Sequence, residues 1–357
     1  MKMKAAVYYG PRDIRVEELE RPEAGEEGIV IKIGACGICP LMDIPRYKNR
    51  LLDHAPKIVL GHEFCGDVIE IGSKVSSVNM GDKVYGLAYR PCGKCGACRS
   101  KDYIKCENFE LGTAGTWING GFAEYMRFPF ATMENITILP KDMSHRDGSL
   151  IEPVSVGVGL ASKAKAGDIV AIMGQELMGL ATVAQLKKMG DIKIIVCDLS
   201  EKRLKKSREV GADIVVNENQ DDPVSVIMAE TSGRGADVVI ETAGRETTFL
   251  KSIDAVKPHG DIWLGAFYDG PFLFNPSLQR PEKPHSNLTQ KGGISMHCAW
   301  LTLPNRSIRR AQAVELIQSG EISADKHVTH FFPLDKITEA FEAAINPFDS
   351  IKVVVEP

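Results

Sequence analysis

The sequence contains no run of about 18 uninterrupted apolar residues, so a membrane-spanning helix is not expected. It opens M-K-M-K-A-A-V-Y-Y-G, a strand followed by a turn, and lacks the apolar core of a signal peptide. Internal repeats and low-complexity segments are also missing. Long runs of like charge are absent and the net charge is only −4, which argues against a nucleic-acid surface. What is present is ordinary globular composition, 44% apolar and 25% charged. A chain of 357 residues exceeds a comfortable single core, so two domains are expected. Cysteine is the exception to this plainness. Nine are present, an odd number with four clustered. That suits metal ligation in a reducing compartment better than a disulfide framework, and predicts a cytoplasmic protein.

The cluster is C-G-K-C-G-A-C-R-S-K-D-Y-I-K-C, residues 92–106. Cys92, Cys95 and Cys98 can wrap one ion from a single tight loop, with Gly93 and Gly96 letting the backbone fold back. Cys106 closes the fourth vertex after a short excursion. Four thiolates this close form a tetrahedral site that selects zinc or an iron–sulfur centre. Such a site has no open vertex, so its role is structural.

Residues 1 to about 150 are rich in glycine and short strands, at 5–9, 28–35, 64–71, 83–87 and 121–128, separated by turns such as Gly10-Pro11 and Gly81-Asp82. This predicts an all-β, barrel-like unit with the cysteine loop as an insertion. A helical connector spans 144–165. From 168 to 267 the pattern alternates strand and helix: strands at 168–173, 193–197, 214–216, 236–242 and 261–267, helices at 177–189, 200–210, 223–230 and 247–256. That alternation specifies a doubly wound parallel sheet. The tail, with helices at 308–319 and 334–345 and a strand at 351–355, is expected to return to the first domain. The proline-rich stretch 269–284 reads as a surface loop.

Three further groups stand around the cysteine loop. Cys36-Gly37-Ile38-Cys39 ends one strand, Gly61-His62-Glu63 precedes another, and Ile151-Glu152-Pro153 opens the connector. Together with the loop they resemble the medium-chain zinc-dependent alcohol dehydrogenases, over nearly the whole chain. The resemblance implies an α/β fold with a β-rich, GroES-like catalytic domain (1–153), a Rossmann domain (154–290) and a return to the catalytic domain (291–357). It implies two zinc ions per chain: a structural ion on Cys92, Cys95, Cys98 and Cys106, and a catalytic ion on Cys39, His62 and Glu152. Glu63 would stand behind the catalytic ion as an alternative ligand. A carboxylate at Glu152 places the chain nearer the sorbitol, threonine and butanediol dehydrogenases. Cys36 is then a buried bystander, and Cys65, Cys197 and Cys298 are expected in the core. A homodimer or homotetramer is implied as well.

Three protein ligands leave zinc one open position, where a substrate oxygen displaces water. Zinc there lowers the hydroxyl pKa, and the alkoxide expels hydride onto a nicotinamide. The nicotinamide is expected in the second domain. After the run 169–173 comes Gly174-Gln175-Glu176-Leu177-Met178-Gly179, in the place and length of a G-x-G-x-x-G fingerprint. Its first and third glycines are present, but Glu176 stands at the middle one. A carboxylate about 5 Å from a phosphate costs roughly 3 kcal/mol at an effective dielectric near 20. Asp198 ends the second strand, where an acid holds the adenosine ribose hydroxyls, and this reading is preferred to its alternative, a cap on the next helix. Arg203, five residues on, lies by the adenosine in the resembling family. Asp198 favours NAD over NADP, and Glu176 predicts a modest affinity that improves in Glu176→Gly.

A second departure follows Cys39. The family places a small residue, then Ser or Thr, then Asp; here the run is Pro40-Leu41-Met42-Asp43. The hydroxyl that would relay the substrate proton is missing, leaving Asp43 and Glu63 as candidate bases, with Asp43 restored to the family position if the chain bulges by one residue. Arg46, Lys48 and Arg50 either line the cleft mouth, which would favour an anionic substrate, or belong to a solvated loop. The expected function is hydride transfer between NAD(H) and a small secondary alcohol, diol or polyol. The rivals are a zinc- and nicotinamide-dependent reductase of a conjugated carbonyl, and a non-enzymatic nucleotide sensor on the same scaffold.

Overall fold

The computed structural model describes residues 1–50, 55, 57–108, 113–268, 293–299 and 306–357. The stretch 269–284, expected as a loop, lies outside them. The chain divides into two compact units. The first comprises Met1–Glu152, Ser323–Asn346 and Lys352–Pro357; the second comprises Pro153–Ile322 and Pro347–Ile351.

The first unit is built mainly of strands: β1 (Lys2–Gly10), β2 (Asp13–Glu20), β3 (Ile29–Gly37), β4 (Ile58–Val59), β5 (Glu63–Ile71), β6 (Lys83–Gly86), β7 (Tyr125–Phe128) and β8 (Ile136–Ile138). Short helices α1 (Asp43–Tyr47), α2 (Gly96–Arg99) and α3 (His145–Gly148) interrupt them, and α4 (Ile151–Ala161) carries the unit boundary between Glu152 and Pro153. Antiparallel pairing of β3 with β5 is its centre, running from Ile29 opposite Ile71 to Gly37 opposite Glu63. The β3 sequence I-V-I-K-I-G-A-C-G is buried except at Lys32 and Gly34, as a central strand covered on both faces should be.

The second unit alternates as expected: β9 (Ile169–Met173), α5 (Leu177–Met189), β10 (Lys193–Asp198), α6 (Glu201–Val210), β11 (Ile214–Asn217), α7 (Pro223–Glu230), β12 (Ala236–Glu241), α8 (Glu246–Ala255), β13 (Val256–Leu264) and β14 (Ser295–Cys298), with α9 (Arg306–Gln318) following. The six strands pair in parallel, in the order β11-β10-β9-β12-β13-β14. The order reverses between β9 and β12, which opens a crevice at their carboxyl ends. Ser200 caps α6 with its side chain, and Gly211, at φ 114°, ends it in the left-handed conformation that favours glycine.

The chain then returns to the first unit through α10 (Ala324–His327), β15 (His330–Pro333), α11 (Ile337–Ile345) and β16 (Val353–Glu356). Phe341 of α11 is fully buried and meets the Phe122 ring edge-on at 5.7 Å, which ties this tail into the β core. The return falls at Ser323 rather than at the expected 291, because Ser295–Cys298 extends the parallel sheet beside β13. Cys298, expected in the core, is exposed at the end of that strand. Among the described residues no helix is long and apolar enough to cross a membrane.

Candidate metal and nucleotide sites

None of the nine cysteines is in a disulfide. Cys92, Cys95, Cys98 and Cys106 are buried, with all four sulfur atoms within 4.8 Å of one another. Gly93, at φ 75°, makes the tight turn between the first two. Backbone N–H groups point at the sulfurs: Cys98 N donates to Cys95 Sγ, Cys92 N to Cys106 Sγ and Asn108 N to Cys106 Sγ, each at 3.4 Å. N–H donors from Glu107 and Cys98 bring the Cys95 thiol down to about 6. Burial and the neighbouring Cys95 push Cys98 up to about 12. Four thiolates cannot share this volume uncompensated, and a cation at their centre removes the conflict. The donor set fits zinc.

The second cluster is made by strand pairing. Because Gly37 lies opposite Glu63, the chain leaving β3 carries Cys39 beside the residues that begin β5. Cys39, His62 and Glu63 are all buried, with one ligand atom of each within 4.8 Å of the others. Burial lowers the His62 pKa to about 4, so the imidazole is neutral near pH 7 and has a lone pair to donate. Burial, then the charges of Glu63 and Asp43, push the Cys39 thiol up. A cation reverses that shift, and this sulfur, nitrogen and oxygen set fits zinc.

Asp43 is fully buried at the start of α1. Its Oδ2 accepts the Cys39 N–H at 2.9 Å, and Oδ1 lies 3.8 Å from His62 Nδ1. Neither Oδ1 nor Nδ1 has a hydrogen-bond partner, so each is a buried polar atom with capacity to spare. Burial raises Asp43 to about 6 against the hydrogen bond from Cys39. Glu152 falls outside the 4.8 Å set, although its charge is felt by the Cys39 thiol.

Sequence reasoning missed Lys352. Its side chain is 2% exposed, forms an ion pair with Glu63 Oε2, and donates to Ile38 O at 2.9 Å. A lysine inside the apolar run 351–355 was the available signal. Arg46, placed by one reading at the cleft mouth, is instead fully buried, donating to Gly115 O at 3.2 Å and Thr116 Oγ1 at 2.9 Å. A buried guanidinium must have its donors met, and these acceptors meet them within the fold rather than leaving them for a ligand. Tyr47 is likewise buried.

The nucleotide fingerprint occupies the turn from β9 into α5. Gly174 has φ 100°, and a Cβ there would meet Ala243 N at 2.8 Å; a Cβ on Gly179 would meet Gly174 O at 2.3 Å. Both glycines are therefore required by close backbone approach. Glu176 sits at φ −72°, ψ −177°, which any residue adopts. Leu177 and Met178 begin the helix, both buried. Asp198 ends β10 and accepts N–H groups from Gln175 at 2.7 Å and Ser200 at 2.8 Å. Capping of α6 falls to Ser200, which leaves Asp198 at the loop. Arg203 is 3.2 Å from Glu176 Oε1 and 3.7 Å from Asp198 Oδ2. The tight glycine turn, the helix start and the strand-end acid fit a dinucleotide.

Comparison with known proteins agrees with this geometry. Residues 25–141 match the alcohol dehydrogenase GroES-like domain, and residues 178–284 match the zinc-binding dehydrogenase family. The chain is 30% identical to a sorbitol dehydrogenase of Bacillus subtilis (strain 168), over 99% of this chain and 97% of that one. It is 32% identical to an L-threonine 3-dehydrogenase of Pyrococcus horikoshii, over 95% and 93% respectively. A zinc-binding dehydrogenase from Sinorhizobium meliloti 1021, solved bound to NADP, superposes with a TM-score of 0.80 at 27% identity, covering 100% of both chains.

Proposed function

The chain belongs to the zinc-dependent alcohol dehydrogenases and is an enzyme of that NAD(P)-linked family, and from that premise we propose that it oxidises a secondary alcohol, diol or polyol with NAD. The observation that carries the proposal is the buried Cys39, His62 and Glu63 set, in which a neutral imidazole, a thiol and a carboxylate converge. Enzyme membership favours this over a nucleotide sensor.

Cys39, His62 and Glu152 would hold the catalytic zinc, with Glu63 behind it, and Cys92, Cys95, Cys98 and Cys106 would hold the structural one. Zinc supplies Lewis acidity toward a substrate hydroxyl, and the nicotinamide accepts hydride. His62 would offer one ring nitrogen while Nδ1 faces the Asp43 carboxylate at 3.8 Å, close enough for that charge to orient the ring once a metal is bound. Asp43 also holds the chain at Cys39 through the Cys39 N–H. Lys352 neutralises Glu63 and holds it by the site. Asp43 is thus better suited to orienting His62 than to shuttling a proton to water, since it is fully buried and one oxygen is already engaged. Of the two carboxylates proposed as the base, Glu63 is paired with Lys352, so neither is an unencumbered relay.

In the second unit the loop Gly174–Gly179 would receive the pyrophosphate at the start of α5, with Asp198 accepting from the adenosine ribose hydroxyls and Arg203 beside it. One relative was solved bound to NADP; in this chain Asp198 supports NAD, because a carboxylate repels a 2′-phosphate. The test is a reduced-cofactor absorbance assay of zinc-loaded protein against secondary alcohols, diols and polyols, with product analysis. Turnover with one of these classes and NAD is expected. Turnover confined to conjugated carbonyls would replace the proposal with its reductase alternative.

A further inference from the structure

Glu176 stands where the fingerprint has its middle glycine, yet its backbone conformation requires no glycine. Its carboxylate is held 3.2 Å from Arg203 Nη2. The same guanidinium reaches Asp198 Oδ2 at 3.7 Å with Nη1 and donates to Ser350 O from Nε at 2.9 Å and Nη2 at 2.7 Å. Arg203 is 6% exposed and Asp198 5%. One buried cation therefore serves two carboxylates and a carbonyl.

We propose that Glu176 sets the choice of dinucleotide by occupying Arg203, so that this cation is not available to a 2′-phosphate. The proposal rests on reading the Gly174–Gly179 loop and Asp198 as the dinucleotide site. The three side chains sum to one net negative charge. A ribose 2′-hydroxyl can donate to Asp198 in that field without penalty. A 2′-phosphate brings roughly −1.5 to −2 charges at pH 7 into it. Removing the Glu176 charge makes the trio neutral and releases one ionic partner of Arg203, the only cation in it. Arginine is suited to phosphate by its fork of donors. Glu176 would then be a specificity residue acting through Arg203, and its charge, already paired, would fall less heavily on the pyrophosphate than its position in the fingerprint suggests.

Two ligands isolate the 2′-phosphate: 5′-AMP, and 2′,5′-ADP, which differs from it only by that group. Calorimetric titration of the zinc-loaded full-length protein with each is expected to favour 5′-AMP in the wild type. In Glu176→Gln the affinity ratio should move toward 2′,5′-ADP by about tenfold or more, equivalent to about 1.4 kcal/mol. Glu176→Gly should move it in the same direction, and Glu176→Asp, which keeps the charge, should move it least. An unchanged ratio in both Gln and Gly variants, or equal gains for both ligands, would overturn the role of Glu176 while leaving the site reading intact. Wild-type protein that binds neither ligand would overturn the site reading and the proposal together.

Discussion

Asp43 and Lys352 each hold one part of the Cys39–His62–Glu63 cluster. Asp43→Asn keeps an acceptor for the Cys39 N–H but removes the charge that faces His62 Nδ1. Zinc affinity should fall about 10- to 100-fold, the usual cost of losing such an outer partner, with kcat reduced. Competition with a chromophoric chelator measures the affinity directly; wild-type affinity and rate in this variant would remove Asp43 from the site. Lys352→Met tests a different logic. It leaves Glu63, 1% exposed, without its ion-pair partner, and breaking a buried pair costs about 3–5 kcal/mol. A zinc ion beside Glu63 would take over part of that compensation. The loss of stability in Lys352→Met should therefore be larger in chelator-treated protein than in the zinc-loaded form, read as denaturation midpoints. Equal losses in the two forms would place the Glu63 carboxylate outside the metal's field.

Among the elements, the turn from β9 to α5 and the cysteine loop use glycine for opposite reasons. A Cβ at Gly179 would stand 2.3 Å from a backbone oxygen, whereas Gly96 has open space around it. Gly179→Ala should destabilise the protein by about 1–3 kcal/mol, since strain against backbone is not relieved by a rotamer change, and should weaken 5′-ADP binding. Gly96→Ala should stay within about 0.5 kcal/mol of wild type. Urea midpoints separate the two, and equal effects would mean that the turn yields more than its close contacts indicate. The legibility of these elements followed the same physics. Residues 177–189 could be read as a helix to its ends, and 169–173 as a strand, because one is long and the other apolar throughout between polar flanks. Asp43–Tyr47 could not be read as a helix, since five residues carry too little periodicity. Arg46 lies in that helix and is buried, so its place at a cleft mouth was misread. His62 and Cys39 were readable as donors from their resemblance to a known arrangement. Lys352 was not, because its partner lies nearly 300 residues away and only strand pairing brings them together.

For the molecule as a whole, both donor clusters fall in the unit that contains residues 1–152, and they should respond differently to loss of their ions. The Cys92–Cys106 cluster gathers its four ligands from one short stretch whose regular structure is limited to α2 and a single 3-10 turn at Tyr103–Lys105. Little apolar burial is available to such a loop, so the bound ion supplies much of its folding free energy. Cys39, His62 and Glu63 instead hang from β3 and β5, whose long ladder and buried Ile29, Ile31 and Phe64 supply apolar burial of their own. The second unit has its own core, including Ala171, Ile195, Val239 and Ile262, with neither donor cluster in it. Metal-loaded protein should therefore contain about two equivalents of zinc by elemental analysis. His62→Ala should retain about one equivalent, keep its melting temperature and lose turnover. Cys95→Ser should also drop to about one equivalent but melt lower, with the loss confined to the unit that holds the loop, so that 5′-ADP binding to the other unit survives. One equivalent in fully loaded wild-type protein would eliminate the second metal site. A melting temperature that falls equally in both variants would mean that the Cys39–His62 site, too, contributes to folding, and that its strands are less self-sufficient than their burial implies.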